Sequence, residues 1–539
     1  MGAGVTGEQS GPPGKIPAFA ETALVAAAAT LLTVGLQIHL GAYGAEFGYD
    51  ESSHYVSGLL IHDYLAKGLP HSPIGYLRDF ASAYPQVGIG HWGPLWYGVE
   101  AVWMFLFGWS RTAMLAFSAF ITVAIAVILY VTARPLGRLL AIFSALAMVA
   151  SPIAQLGSTA VMLDSAITLM CLLAAISWLR YTQTLKARYS IAFGVLAGAA
   201  LLIKGNAGCL VLVPPLFLLL DRNWSLLRRA SFWAPAAIVL LIAGPWSVFS
   251  YHQVAQGFRF GWGWPYISFA VPENFRVLVM AFGPLLLLLV PLGMLPLLRP
   301  RDKSIRDLSA LGFVLLAAVV IFQCVVPAAI QERYLEPALP PLILLAALGI
   351  HQIATRPAVR LVLVAAVVLV ALPGIVKMEP KLRYGLVEAT EQIWRYRLAD
   401  NPSVLVVADG ASEGAAVAEI AMLDNARPSM FAVRGTRLLG GGGYNTQEYQ
   451  PRFTDLHDVL KAIDQYAIPL VLVRRERGRK EWAHIAQVDA ARQLEPERWR
   501  VLYNRTEGAT SVTLYEVKGN DGKKLDAGQL KQLTAPRGL

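Results

Sequence analysis

The sequence predicts a polytopic α-helical membrane bundle of about eleven spans, followed by a soluble α/β domain. Three observations predict it. The 539 residues are 55% hydrophobic and only 15% charged, with a mean hydropathy of +0.50, whereas soluble globular chains carry roughly 25% charge. Apolar runs of spanning or near-spanning length fill residues 18–376. Beyond Lys377 short strand-like runs alternate with helical periodicity. The boundary therefore divides a membrane domain, 1–378, from a soluble domain, 379–539.

Residues 1–17 are polar, and the apolar run at 18–42 is too long for the core of a cleaved leader, so it reads as a signal anchor. The further runs lie at 92–108, 112–132, 139–157, 160–179, 189–204, 206–220, 231–250, 274–298, 308–328, 335–352 and 361–376. Lys and Arg in short links mark the cytoplasmic side. Four links are basic: Arg134/Arg138, Arg180/Lys186/Arg188, Arg222/Arg228/Arg229 and Arg299/Arg301/Lys303/Arg306. Arg356 and Arg360 make a fifth. The outward turns then fall at 43–91, 159–164, 204–206, 251–273 and 331–336, with everything after 376 also outside. Between the outer loop 43–91 and Arg134 the number of crossings must be odd. The shorter run, 92–108, is the one expected not to cross.

In the last quarter, 404–408, 430–433, 470–473 and 512–517 read as strands, and 411–424 and 454–466 as helices. The glycines at 440–443 lack the spacing and the following Lys–Ser/Thr of a phosphate loop, so they read as a flexible loop. The net charge of +10 resides in the links and the C-terminal quarter, which argues for topology and against nucleic acid as a partner. Cys171, Cys209 and Cys324 are far apart in sequence and suggest neither a disulfide framework nor a cysteine metal site.

An ionisable side chain at membrane depth costs about 2.5–3.5 kcal/mol and is a functional candidate by default. Asp164 in "STAVMLDSAITLM" and Lys204 in "LLIKGNAG" are two such residues. The topology puts both near the outer surface, level with Asp50 and Glu51 in "AEFGYDESSHYVSG", so these four are expected to share a pocket. Snorkelling to water is the plain alternative. The loop 43–91 is long for a connector and rich in His and aromatic residues, and its helical parts are expected on the membrane surface. A second outer loop carries Arg259, Trp262, Trp264 and Arg276. A third holds Glu332, Arg333, Tyr334 and Glu336. Basic groups there suit a lipid-linked phosphate, and a carboxylate suits a general base or a divalent metal.

Five stretches together resemble a known superfamily. "YDESSHY" resembles the Asp–Glu motif in the first outer loop of the C-type membrane glycosyltransferases. The nearest branch is that of the protein O-mannosyltransferases and lipid A aminoarabinose transferases. "GHWGPLWYGV", "MLDSAITL", "LLIKGNAG" and "ERYLEPALPPLILLAA" resemble further motifs of that branch in the same order, over about residues 20–375. The resemblance implies a C-type glycosyltransferase architecture in the plasma (inner) membrane of a bacterium. It implies inverting transfer of a sugar, hexosyl or pentosyl, from a polyprenyl-phosphate donor to a lipid, glycan or protein acceptor on the outer face. Asp50 would be the base, Glu51 its support and Asp164 a second acidic residue. Lys204, Arg333 and Tyr334 would lie near the donor phosphate, with His91 and Arg259 or Arg276 adding to them. The resemblance leaves a divalent metal (Mg, Mn or Zn) open, held by Asp50, Asp164 and His54. One departure is plain: His91-Trp92-Gly93-Pro94 stands where relatives carry a Lys and two prolines, which argues against the aminoarabinose substrate. A multi-pass secondary transporter would also bury ionisable groups, but the sequence has no convincing internal repeat of the kind transporters use.

Overall fold

The computed structural model describes residues 18–534 apart from 256, 257, 259, 382, 442–448, 479, 480, 521, 522 and 525. Apolar runs become helices because, away from water, every backbone N–H and C=O must be paired within the segment. The first helix, α1 (Ala18–His39), is followed by α2 (Tyr49–Asp63) and α3 (Pro73–Ala83), both within the outer loop. Next come α4 (Leu95–Phe107), α5 (Arg111–Ala133) and a pair, α6 (Arg138–Ala150) and α7 (Pro152–Ser158), bent by 58°. Ser110 starts α5 by accepting a hydrogen bond from Ala113 N. Then follow α8 (Asp164–Thr184), α9 (Ala187–Leu201), α10 (Val213–Asp221) and α11 (Ala230–Ala255). α12 (Trp264–Phe282) turns by 106° into α13 (Pro284–Gly293) and α14 (Leu295–Leu298). α15 (Lys303–Val325), α16 (Leu339–Ile353) and α17 (Pro357–Val376) complete the bundle.

Among the described residues seven helices are long and apolar enough to cross a membrane, or nine if each bent pair is one span. About eleven were expected. The difference lies at 187–221, where a break at Lys204 leaves two apolar helices, Ala187–Leu201 and Gly205–Asp221, each below full spanning length. α4 does not cross. It leaves from Pro94, beside Leu202, and returns to Trp109 and Arg111, which touch Tyr55 and Glu51 at the same end. The basic links meet at the opposite end, through Arg138–Glu21 (2.7 Å), Arg306–Asp221 (2.5 Å) and Gln183–Asp307 (2.8 Å). The expected outer loop at 251–273 is shorter than read, because α11 runs to Ala255 and α12 begins at Trp264.

The C-terminal strand-containing domain opens with α18 (Leu386–Tyr396). Its strands are β1 (Ser403–Val407), β2 (Phe431–Arg434), the two-residue β3 (Gly440–Gly441) and β4 (Gln450–Pro451), β5 (Leu470–Glu476), β6 (Trp499–Glu507) and β7 (Thr510–Val517). The intervening helices are α19 (Gly410–Leu423), α20 (Gly435–Leu438), α21 (Leu456–Gln465) and α22 (Ala483–Leu494), and α23 (Ala527–Thr534) follows β7. The main sheet runs β2-β1-β5-β7-β6. β1 is parallel to both neighbours, and β7 is antiparallel to β5 and β6. Successive strand side chains point to opposite faces. Val404 and Val406 therefore join a core continuous with the membrane bundle, while Leu405 and Val407 join a separate one with Val459, Ile463 and Ile485.

Of the two helices in the outer loop, α2 does not lie on a membrane surface as expected, whereas α3 keeps its first half at least partly exposed, Ile74 included. Residues 51–60 of α2 are buried on every side, between α4 and α19. Its polar residues are bonded within the protein instead: Ser57 Oγ donates to Ser53 O (2.6 Å). Asp63 of α2 accepts from Arg427 at 2.8 Å, and Glu46 accepts from Arg474 at 2.9 Å. Hydrogen bonds to His62 and Arg427 hold the Asp63 carboxyl below the usual range, although burial works the other way.

Glu419 of α19 sits in this interface, and its Oε1 has no partner. Burial pushes its pKa up to about 8, assisted by Glu46 and Glu51 and opposed by Arg111. The folded state thus holds a proton there that the unfolded chain gives up near its ordinary value. The stability contribution is whole at acid pH and is lost as pH rises through about 8. Thermal melts of the wild type should fall between about pH 5 and pH 8 more steeply than those of Glu419→Gln. Parallel curves for the two proteins would contradict the assignment.

Candidate active site

A cavity of about 900 Å³ opens at the end of the bundle opposite the basic links. Asp50, Glu51, His91, Lys204, Arg333 and Tyr334 all line it. It also has an apolar stretch of wall, including Leu156, Met162, Phe258, Phe322, Val326 and Ile330. Such a vessel accommodates a charged group at one side and hydrocarbon at the other.

The polar wall is built from chain breaks. Asp164 is the first residue of α8, where the unpaired N–H groups of a helix start favour a carboxylate. α9 ends at Leu201, and Lys204 follows in extended backbone (φ −155°) before the 3-10 turn Gly205–Leu212. The segment 90–95 packs against this break: Leu95 N donates to Leu202 O (3.3 Å). A Cβ at Gly93 would stand 2.0 Å from Leu202 O, so only glycine allows the approach that aligns "GHWG" with "LIKG". Arg333 and Tyr334 lie in the 3-10 turn Glu332–Ala338 before α16.

Five of the expected residues, Asp164, Lys204, Tyr334, Arg333 and Asp50, form a row with a carboxylate at each end and the two cations on either side of the tyrosine. Lys204 Nζ donates to Asp164 Oδ1 at 2.6 Å. The same ammonium lies 4.6 Å from the centre of the Tyr334 ring. Arg333 lies 5.3 Å from that ring and pairs with Asp50 Oδ2 at 2.5 Å. A cation on an aromatic face gains about 0.5–2 kcal/mol, more when desolvated. Lys204 and Asp164 are nearly buried, whereas Asp50 and Arg333 are 18% and 21% exposed, so water reaches the Asp50 end.

The other residues divide. Glu51 lines the cavity but its carboxylate is engaged: it accepts from Gly48 N (2.8 Å), Val161 N (3.1 Å) and Arg111 Nη2 (3.2 Å). At the third position of α2 it closes the helix start. Arg111 in turn donates to Ala42 O and lies over Phe47. His91 faces the cavity, and burial pushes its imidazole below the usual histidine range, so near neutral pH it offers an N–H and not a charge. Asp164 does not itself line the cavity; it stands behind Lys204. His54 points away, with Nδ1 3.1 Å from Tyr97 Oη and its ring against Trp92. Arg259 lies outside the described residues. Asn206, Glu273, Arg276 and Lys381 line the cavity as well. Lys381, which enters from the C-terminal side, carries no local signal in sequence. Glu336, fully buried, lies behind the row, beside Ser165 at the start of α8.

The residues present do not fit a metal ion. Asp50 and Asp164 are each paired with a cation, and His54 is bonded elsewhere. Among the described residues no three His, Cys, Asp or Glu side chains gather within ligating range.

The architecture, a helical bundle with an enclosed outer loop and a C-terminal strand-containing domain, is similar to the fold of the C-type membrane glycosyltransferases. Residues 93–249 match the family of the dolichyl-phosphate-mannose-protein mannosyltransferases. The crystal structure of ArnT from Cupriavidus metallidurans bound to undecaprenyl phosphate superposes with a TM-score of 0.59 at 15% identity, over 94% of this chain and 100% of that one. The same protein in the apo state gives 0.56 at 15% identity, again over 94% and 100%. No curated protein matches the chain by sequence.

Glu51 and Asp50 are neighbours in sequence but differ in what they hold. Removing one partner of a buried pair costs about 3–5 kcal/mol. Glu51→Ala, which strands Arg111, should therefore lower the melting temperature in detergent sharply, while Asp50→Asn should leave it nearly unchanged. Equal losses would show that the two carboxylates share one role.

Proposed function

We propose that the protein transfers a sugar from a polyprenyl-phosphate donor to an acceptor hydroxyl or amine, with inversion, at the outer face of a bacterial plasma membrane. One observation carries the reading: a carboxylate, Asp50, and two cations, Lys204 and Arg333, line one cavity that also has an apolar stretch of wall, including Leu156, Met162, Phe322, Val326 and Ile330. The apolar wall suits a prenyl chain. Lys204 and Arg333 suit the phosphate, as charge-assisted donors in a site with little water. The match to dolichyl-phosphate-mannose-protein mannosyltransferases over 93–249 supports the class of donor. The ArnT fold, in a protein bound to undecaprenyl phosphate, is consistent with it.

In the proposed reaction the acceptor attacks the sugar C1 from the side opposite the phosphate. Asp50 takes the acceptor's proton, and Lys204 and Arg333 hold the phosphate as its charge grows. Asp164 and Tyr334 orient the lysine. His91 adds an N–H to the phosphate. Positive charge here comes from side chains, so no step passes through a metal. The C-terminal domain lies on the outer side, above the cavity.

The direct test is prenyl-phosphate release when purified protein is incubated with a panel of polyprenyl-phosphate sugars and candidate acceptors. Release from at least one donor, unchanged by EDTA, is expected. Release from none would overturn the reading in favour of a transporter. With an active donor in hand, Asp50→Asn should reduce turnover by about 10²–10⁴-fold. Lys204→Ala should raise the donor KM. Wild-type turnover in Asp50→Asn would remove the base assignment.

A further inference from the structure

In an open α/β sheet the crevice at the carboxyl end of the strand where the strand order reverses is where ligands bind. In this domain that strand is β1, with β2 on one side and β5 on the other, both parallel to it. Most polar groups at its carboxyl end are satisfied within the domain, and one of them, Arg434, also reaches the outer loop. Arg434, at the end of β2, donates through Nη1 to Gln86 Oε1 (2.7 Å). Its Nε donates to Glu413 Oε2 (3.0 Å) and its Nη2 to Gly410 O (2.9 Å), so the guanidinium is fixed against the first turn of α19. Gln86 lies on that turn closely: a Cβ at Gly414 would stand 2.6 Å from Gln86 Nε2.

From there Gln86 reaches the site. Its Nε2 donates to Ser52 Oγ (3.0 Å) and Ser53 Oγ (2.8 Å), in the first turn of α2, which begins with Asp50 and Glu51. The chain that continues from Gln86 is laid back over α2. Gly88 N donates to Ser57 Oγ (2.8 Å), and the Trp92 ring packs 4.5 Å from that of His54. His91, between these two fastenings, faces the cavity. Both cavity-facing ends of the outer loop, Asp50 and His91, are thus tied to one amide.

We propose that Gln86 and Arg434 are positioning residues: through them the C-terminal domain sets the place of Asp50 and His91 in the cavity, without touching substrate. This rests on the transferase reading above. Docking of the domain does not depend on the amide, since Asp63–Arg427, Glu46–Arg474 and the Tyr84–Asp424 hydrogen bond fasten the loop elsewhere. What the amide adds is local to the first turn of α2.

The test uses full-length Gln86→Ala, Arg434→Lys, Gly414→Ala and the Gln86→Ala/Arg434→Lys double variant. Arg434→Lys keeps a cation beside Glu413, and Gly414→Ala displaces the amide from the opposite side. Each single variant should lower kcat by about 10–100-fold, as a misplacement of the order of 1 Å does. The donor KM should stay within about twofold, because Lys204 and Arg333 are untouched. The double variant should be no worse than its worse parent. Deuterium exchange across 49–57, measured without substrate, should rise in Gln86→Ala, with the melting temperature unchanged. Wild-type kcat in Gln86→Ala, unchanged exchange across 49–57, or additive losses in the double variant would each overturn the proposal. The exchange arm needs no turnover. Absence of transfer in the wild type would therefore strike the transferase reading alone, while unchanged exchange would strike the clamp alone.

Discussion

The arrangement depends on the contact between Lys204 and Asp164 beneath the Tyr334 ring. An ammonium beside apolar helices is tolerated only if a partner and a polarisable face are ready for it. Asp164 at a helix start and Tyr334 in a 3-10 turn supply them. The same tyrosine lies close to Arg333, which meets Asp50. Two cations and two carboxylates therefore balance along one row, and the row is deepest at the lysine and wettest at Asp50. A phosphate approaching it competes with carboxylates for cations that are already oriented. No side chain need be recruited from solvent for that exchange.

Helix breaks make the row possible. α9 gives up its last turn before Lys204, and the segment after His91 presses a glycine onto the exposed carbonyl of Leu202. Neither half of the 187–221 region has full spanning length, which brings backbone polar groups to the depth of the cavity, where protein encloses them. On the other side α2 is fully enclosed between α4 and α19, so the loop that carries Asp50 is held by the bundle and the C-terminal domain together. The continuous apolar core, reaching from the membrane helices through α19 to Val404 and Val406, follows from the same enclosure.

Much of this is legible in the sequence, because the relevant signals are local. Spanning length and apolarity mark the helices, and a charge inside an apolar run marks Asp164 and Lys204 without any knowledge of their partners. The parity of the basic links requires that one of the runs 92–108 and 112–132 not cross, and length points to 92–108, whose helix is the shorter. Other features are not legible because they depend on packing. Asp50 and Glu51 look like one pair, but adjacent helical residues face different directions. Glu51 consequently meets Arg111, 60 positions away. The loop 43–91 reads as lying on the membrane surface from its length, histidines and aromatics, but the polar residues of α2 find partners in distant segments such as Gln86 and Tyr97. β6, "WRVLYNRTE", escapes notice because an edge strand with one wet face keeps polar residues at most positions.

The central claim is that the cavity recognises a phosphate on a prenyl chain through Lys204 and Arg333. Equilibrium binding of a polyprenyl phosphate and of the matching polyprenol to the purified protein, followed by native mass spectrometry, tests it most directly. The account predicts that the phosphate-bearing lipid binds more tightly by about tenfold or more, and that a Lys204→Ala/Arg333→Ala variant loses this preference while still binding the alcohol. Equal affinity of the wild type for the two lipids would contradict it.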